Sequence, residues 1–526
     1  MNMVTGWTGR TACALQSAMR LSNEAFAARL GIGLRTVAGW HQKPALRPKS
    51  EMQQLLDTAL AQAEPSVRAR FAVLTANPLG GDAGSLEDNA AADAERQLDN
   101  DQNISQACER LDQDAGWQPG TARREVASRL VRLDAHRLKD RASHRERIGW
   151  QGMASAMADY YRDSPQGYAR YVARYHDNEV VTTILTHRDW LDLNFLLDAA
   201  HDRITLTNPA SDYHLSMDAD AADAAAQRLA ETLLTGTVLV DRPLYRLHSL
   251  NARKSGISGG VEVIPFARYA LTMDLLESEL MDALVADVSP RPGALPLRDR
   301  YLPDTSCVVA VADRLCAGGT VALSAIARPA SPYRGPADYL LLVQERSGDV
   351  LNAPRRLTVL PRGFHQPMTD FQADARIGAT LRREMEEELF GREDIDNTLR
   401  EKYAAEPMHP SRLSDPVRWL MSEPDRLRIE CTAFGLNLIN GNYAFACLIV
   451  INDEDFWSRY GGLITGNWES SSLRQYSSLD SDSLAALVQD PAWNHEGLFT
   501  LLQGLRRLNQ IDGSRVNLPA IEWELQ

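Results

Sequence analysis

The chain lacks a long hydrophobic run, a cysteine pair and an overall excess of basic charge. Its longest apolar stretch lies near Ala444–Ile451 and is less than half of what a membrane-spanning helix requires. No membrane partner is expected. Six cysteines, at positions 13, 108, 307, 316, 431 and 447, form no CxxC pair. That spacing implies neither a zinc site nor a disulfide framework. Buried free thiols in a reducing compartment are the simpler reading, and with no signal peptide at the start the expected location is the cytoplasm. The formal net charge of −14 argues against a polyanionic partner for the chain as a whole.

What is present changes that last inference, because the charge is segregated. Residues 1–72 carry nine Lys/Arg against four Asp/Glu, whereas residues 80–120 carry two Arg against ten Asp/Glu. Phosphate contact depends on local rather than total charge. At 526 residues the chain exceeds what one core supports, so several domains are expected.

The most informative stretch is Ser22–Lys43, SNEAFAARLGIGLRTVAGWHQK. Small Ala27 permits a close helix crossing, Gly31 suits a turn that a Cβ would resist, and Val37 and Trp40 face inward. Ser22 is a good N-cap for a helix over Asn23–Leu30. A first helix spans about Thr8–Arg20, and a third runs from about Gly33 to Gln42. Ser50 and Gln53 form a capping box for a fourth, with a stripe of Met52, Leu55, Leu56, Ala59 and Leu60. The stretch resembles the Cro/C1-type (XRE) helix-turn-helix family. The resemblance implies that the third helix enters the major groove of double-stranded operator DNA, with Arg35 on a guanine edge and Thr36 and Lys43 on phosphates. Leu34 would meet a thymine methyl, and Gly39 would allow close approach. One such unit covers few base pairs, so a homodimer on two half-sites is expected.

Residues 76–120 read as an acidic linker. An Arg-rich helical pattern follows over Thr121–Arg147, with Val126, Leu130 and Leu133 on one stripe; solvated charge or a dimer surface is its ordinary reading. Residues 150–285 suggest a mixed α/β segment with core aromatics Tyr160, Tyr161, Tyr168, Tyr171, Tyr175 and Trp190. Ser289–Gly293 reads as a stiff linker. Strand signals then appear at Cys307–Val311, Thr320–Ala327, Tyr339–Glu345 and Leu357–Leu360. A hairpin of Ala433–Leu438 and Tyr443–Ile451 is joined through Asn440-Gly441, and a closing helix lies near Gly497–Leu508.

A helix at about Ile377–Phe390 interrupts those strands. Its Glu384, Glu387 and Glu388 fall at i, i+3 and i+4, which places three carboxylates on one face, while Met385 and Leu389 turn to the core. Such a face suits Mg²⁺ or Mn²⁺, and Arg383 can orient a glutamate. With Leu360-Pro361-Arg362-Gly363 before it, the segment resembles a Nudix box, and Trp468-Glu469 fits the tail of that fold. The resemblance implies Glu384, Glu387 and Glu388 as metal ligands, with Glu387, Glu388 and Arg383 as the catalytic set of any hydrolysis. Gly363 and His365 would contact a ligand. Three features depart from the family pattern: a longer loop between Gly363 and Arg383, Ala375 in place of a glutamate, and Phe390 in place of a glycine.

The expected fold class is multidomain. An all-α helix-turn-helix N-terminal domain spans 1–75, and the acidic linker 76–120. A mixed helical and α/β middle domain spans 121–290, and an α+β Nudix-like C-terminal domain 291–526. The expected function is a DNA-binding transcriptional regulator sensing a nucleotide-like small molecule. A Mg²⁺-dependent hydrolase of a nucleoside diphosphate derivative is the alternative, and a protein-binding scaffold ranks last.

Overall fold

The computed structural model describes residues 7–19, 21–44, 46–63, 67–68, 70–71, 93–176, 178–208, 213, 216–348, 350–392, 408–467 and 469–526. Residues 76–92 of the expected acidic linker, and Trp468, lie outside the described residues. The chain divides into two compact units, Met1–Asn89 and Ala90–Gln526.

In the first unit the described elements are helices α1 (Gly9–Met19), α2 (Asn23–Leu30), α3 (Leu34–Gln42) and α4 (Ser50–Ala61). Ser22 caps α2 by accepting from the Ala25 amide at 3.2 Å. Gly31 ends the helix at φ 69°, a backbone state a side chain would resist. Trp7, Leu15, Phe26, Ala27, Val37, Trp40 and Leu56 make the core. Two local expectations are corrected. Leu55 is exposed. Ser50 makes no cap, since Lys49 precedes the helix and Gln53 donates instead to the Pro48 carbonyl at 2.8 Å.

The second unit opens with helices α5 (Gln102–Asp114), α6 (Thr121–Arg132), α7 (Ala135–Glu146) and α8 (Trp150–Tyr160). Two further helices are α9 (Ala219–Thr235) and α10 (Leu275–Val285). The single helix expected over Thr121–Arg147 is broken at Leu133, which is extended, and Asp134 caps α7 through the His136 amide. Three of its arginines reach other helices, Arg129 pairing with Asp223 and Arg141 with Glu231 on α9, and Arg145 with Asp282 on α10, while Arg124, Arg132, Arg137, Lys139 and Arg147 stay exposed as expected of solvated charge. Part of the expected acidic linker is also folded. Asp112 is buried and accepts from the Gly120 and Ala122 amides at 2.6 and 2.7 Å.

Strands β1 (Tyr168–Tyr175), β2 (Asn178–His187), β3 (Phe195–Leu196), β4 (Asp202–Asn208), β5 (Pro243–Arg253) and β6 (Gly256–Pro265) come first. After them lie β7 (Gly318–Arg328), β8 (Asp338–Arg346), β9 (Leu357–Val359) and β10 (Arg362–Phe364). Helix α11 (Ile377–Glu384) follows, then β11 (Leu427–Asn437), β12 (Tyr443–Ile451), β13 (Ser470–Ser477), helix α12 (His495–Ile511) and β14 (Glu522–Leu525). Among the described residues one eleven-stranded sheet runs β13-β8-β7-β12-β11-β2-β1-β14, with β10 on β7, β3 on β11 and β9 on β8. Strands β4, β6 and β5 form a separate three-stranded sheet.

This sheet overturns the expected fold class. A separate mixed α/β middle domain and an α+β Nudix-like C-terminal domain would keep their strands apart. Instead β1 and β2, from the middle segment, share a sheet with β7, β8, β11 and β12. Leu436 and Asn437 of β11 pair with Leu185 and Ile184 of β2, and β14 pairs with β1. Ser289–Gly293 therefore joins parts of one body. The strand expected at Cys307–Val311 is also wrong. Asp304 accepts from the Cys307 amide at 2.8 Å and starts a short helix, Thr305–Val309; this cap outweighs the strand propensity of the apolar residues.

Both faces of the large sheet are covered. On β12, Ala446, Leu448 and Val450 face the cluster containing Leu498, Leu502 and Leu505 of α12. Phe445, Cys447, Ile449 and Ile451 face the cluster containing Ile377, Leu381 and Met385. A strand buried on both sides reads as an unbroken apolar run, and that accounts for Ala444–Ile451. No helix among the described residues is long and apolar enough to cross a membrane.

Candidate functional site

The second unit holds a cavity of about 610 Å³ where β7, β10, the α11 segment and residues 238–266 meet. Strand β10 positions its centre. Pairing of Gly363 with Thr320 and of Arg362 with Val321 brings both residues of β10 into the wall. Glu384 and Glu387 enter from the helical segment, Arg346 from the end of β8, Glu469 from the turn before β13, and Glu496 from the first turn of α12.

Past Glu384 the helix widens into a π turn over Met385–Leu389. Such turns add a residue to the helical period and re-aim the side chains after them. In a regular helix Glu384, Glu387 and Glu388 would share one face. Here Glu384 and Glu387 line the cavity and Glu388 does not. Glu388 is buried, accepts from the Arg362 amide at 2.6 Å and takes a second bond from Gln344 Nε2 at 3.2 Å. Met385 and Leu389 point into the core as expected.

The charges of the site are largely met from within. Arg383 donates to Glu384 at 2.6 Å and to the Gln366 carbonyl at 3.0 Å. Arg346 donates to Glu469 at 3.1 Å, and Arg362 to Glu496 and Asn352 at 2.7 Å each. Burial, reinforced by the charge of Glu384, pushes the Glu387 carboxyl up to about 8. Burial together with Glu469 and Glu384 holds Glu388 well above the usual carboxylate range, and burial raises Glu384. No group of three or more His, Cys, Asp or Glu side chains among the described residues converges to hold a metal ion. Both Glu388 oxygens accept hydrogen bonds, from the Arg362 amide and Gln344, so of the three expected ligands Glu384 and Glu387 alone line the cavity.

Comparison of the chain with protein-family models and with curated proteins gives no match.

Gly363 lies in the wall as expected, and for a tight reason. A Cβ there would overlap the Glu384 carboxyl and sit 2.6 Å from its Cγ. His365 is placed differently. It is buried, its Nδ1 bonds the Tyr443 hydroxyl and its Nε2 the Ala375 carbonyl, each at 2.9 Å. Burial pushes its pKa down to about 3, so the ring is a neutral structural link, outside the cavity lining. Residues the sequence did not single out include Arg346, Thr320, Asn442, Glu496 and Phe266. Arg362 and Glu469 sat inside quoted motifs, but nothing local marked their side chains as wall residues.

Three wall residues carry buried polar atoms with no hydrogen-bond partner among the described residues: Arg362 Nη1, Thr320 Oγ1 and Asn442 Oδ1. Each such group costs about 1–3 kcal/mol. A large cavity walled by charged and polar side chains suits a polar occupant.

In the first unit, the proposed DNA-facing residues lie opposite the core. Leu34 is 46% exposed. Arg35 and Lys43 are exposed, and Thr36 and Gly39 partly so, while Val37 and Trp40 are buried.

Proposed function

We propose that this chain is a DNA-binding transcriptional regulator whose larger unit binds a nucleotide-like metabolite. The observation that carries the ligand half is the cavity, walled by Arg346, Arg362, Glu384, Glu387 and Glu469. Arginines at the wall suit phosphate oxygens by charge-assisted bonds. The DNA half rests on Leu34, Arg35 and Lys43, exposed on α3 and at its C-terminal cap, with Thr36 and Gly39 partly exposed beside them, and on the basic balance of residues 1–72. A homodimer on two half-sites follows from the small reach of a single helical unit. Ligand changes DNA affinity only through different affinities for two states of the protein.

The test is a thermal-shift screen of nucleotides with and without Mg²⁺, followed by binding of the whole chain to a palindromic promoter fragment with and without each hit. Salt-dependent binding that weakens about 10-fold or more in Arg35→Ala is expected. No binding even at low salt overturns the regulator reading.

A second reading, hydrolysis of a nucleoside diphosphate derivative, is favoured by one observation: Glu387 lies in the cavity wall with its carboxyl raised to about 8. Mg²⁺- or Mn²⁺-dependent release of phosphorylated products from ADP-ribose, abolished in Glu387→Gln, would support it.

A further inference from the structure

A second cavity, of about 230 Å³, borders α11 and the loop that leads into it. Gln366 lines both cavities, and Arg383, in the wall of this one, holds Glu384 in the wall of the other. The loop is braced from within. Asp374 accepts from the Met368 and Thr369 amides at 2.8 and 3.2 Å, and Asp370 Oδ1 from the Gln372 and Ala373 amides at 3.0 Å each. A wall fixed in this way leaves little ordering to offset on binding.

The lining mixes soft apolar groups with charges of both signs. Met368, Met408 and Met421 bring thioether side chains that adapt in shape to what they pack against. Arg382 donates only to the Leu197 carbonyl, at 3.5 Å, and forms no ion pair among the described residues. Asp370 is exposed, and its second oxygen accepts no bond among the described residues. Thr380, 1% exposed, adds a hydroxyl with no partner among the described residues.

We propose that this cavity binds a free α-amino acid with an apolar side chain. An ion of one sign would meet Arg382 or Asp370 and set its charge against the other, whereas a zwitterion meets both by charge-assisted bonds. The methionines then cover the side chain. At about 230 Å³ the space falls below the roughly 300–1,000 Å³ of sites for drug-sized ligands, which suits one amino acid better than a nucleotide. The site is separate from the nucleotide reading and does not depend on it.

The test is isothermal titration of the whole chain with L-leucine, L-methionine and glycine, and with two leucine analogues that each lack one charge, leucinamide and isocaproate. Leucine or methionine is expected to bind with a Kd below about 1 mM, and glycine and both analogues about 10-fold or more weakly. Arg382→Gln should weaken leucine binding and leave leucinamide unchanged, since leucinamide has no carboxylate to lose. Asp370→Asn, an exposed position where the amide-accepting oxygen is kept, should weaken leucine and leave isocaproate unchanged. No saturable binding of leucine or methionine overturns the proposal. So does leucinamide or isocaproate binding as tightly as leucine, or leucine affinity untouched by both substitutions.

Discussion

Gly363→Ala tests the centre of the site with the fewest added atoms. The new methyl would overlap the Glu384 carboxyl and lie 2.6 Å from its Cγ. Glu384 cannot swing away freely, because it is nearly buried and bonded to buried Arg383 at 2.6 Å. The glutamate must leave that pair, or β10 must shift off β7. Breaking a buried charge pair costs about 3–5 kcal/mol when one partner is removed outright; displacing it while the partner keeps the Gln366 carbonyl should cost about 1–3 kcal/mol. The check is a double-mutant cycle read by urea denaturation. Gly363→Ala alone should lower stability by that amount, yet in a Glu384→Ala background it should be nearly free. The expected coupling lies within the 0.5–3 kcal/mol range of directly contacting residues. An equal cost in both backgrounds would refute the account, because strain would then lie in the backbone and not in the Gly363–Glu384 contact.

Three further outcomes follow from the same geometry. Glu388→Ala should destabilise the larger unit by about 1–3 kcal/mol, since it strips the Arg362 amide of its acceptor, while Glu387→Gln should be mild; comparable thermal shifts for the two would contradict their placement. Asp202 is buried, its Oδ2 accepts from the Gly378 amide at 2.9 Å, and burial outweighs that bond to push its pKa up to about 6, so its folded value lies above the unfolded one. Its contribution is complete below pH ~4 and is lost as pH rises through about 6; Asp202→Asn should therefore gain up to about 3 kcal/mol over the native chain at pH 8 and much less at pH 4, and a gap in urea midpoints that does not widen with pH would refute this. Val37→Ala in the first unit should cost about 2 kcal/mol, as expected for truncating a buried β-branched residue, and loss of promoter binding without loss of helicity would instead assign Val37 a direct role in recognition.

Much of the local structure was legible in the chain. Ser22 and Gly31 bracket α2 because a hydroxyl cap and a left-handed glycine act within a few residues. The Asn440-Gly441 turn and the apolar run at Ala444–Ile451 marked the β11–β12 hairpin for the same reason. Local signals also misled where a competing local bond won, as with the Asp304 cap that turned Cys307–Val309 helical. The carboxylate helix was found, but its division of labour was not: Glu384 and Glu387 line the cavity while Glu388 accepts from the Arg362 amide, and no periodicity in the sequence reports that.

What the sequence by itself determined is therefore short-range: helix caps, turns, the unbroken apolar run of a strand buried on both faces and the segregation of charge. What only the tertiary structure decided is long-range. Pairing of β2 with β11 and of β1 with β14 merged two expected domains into one sheet, and the same assembly brought residues near 240, 266, 346, 362, 384, 469 and 496 around one cavity. The physical reason is that a hydrogen-bond ladder or a buried ion pair depends on which partner arrives from hundreds of residues away, and a side chain such as Arg362 carries no mark in its neighbours of the carboxylate it will meet.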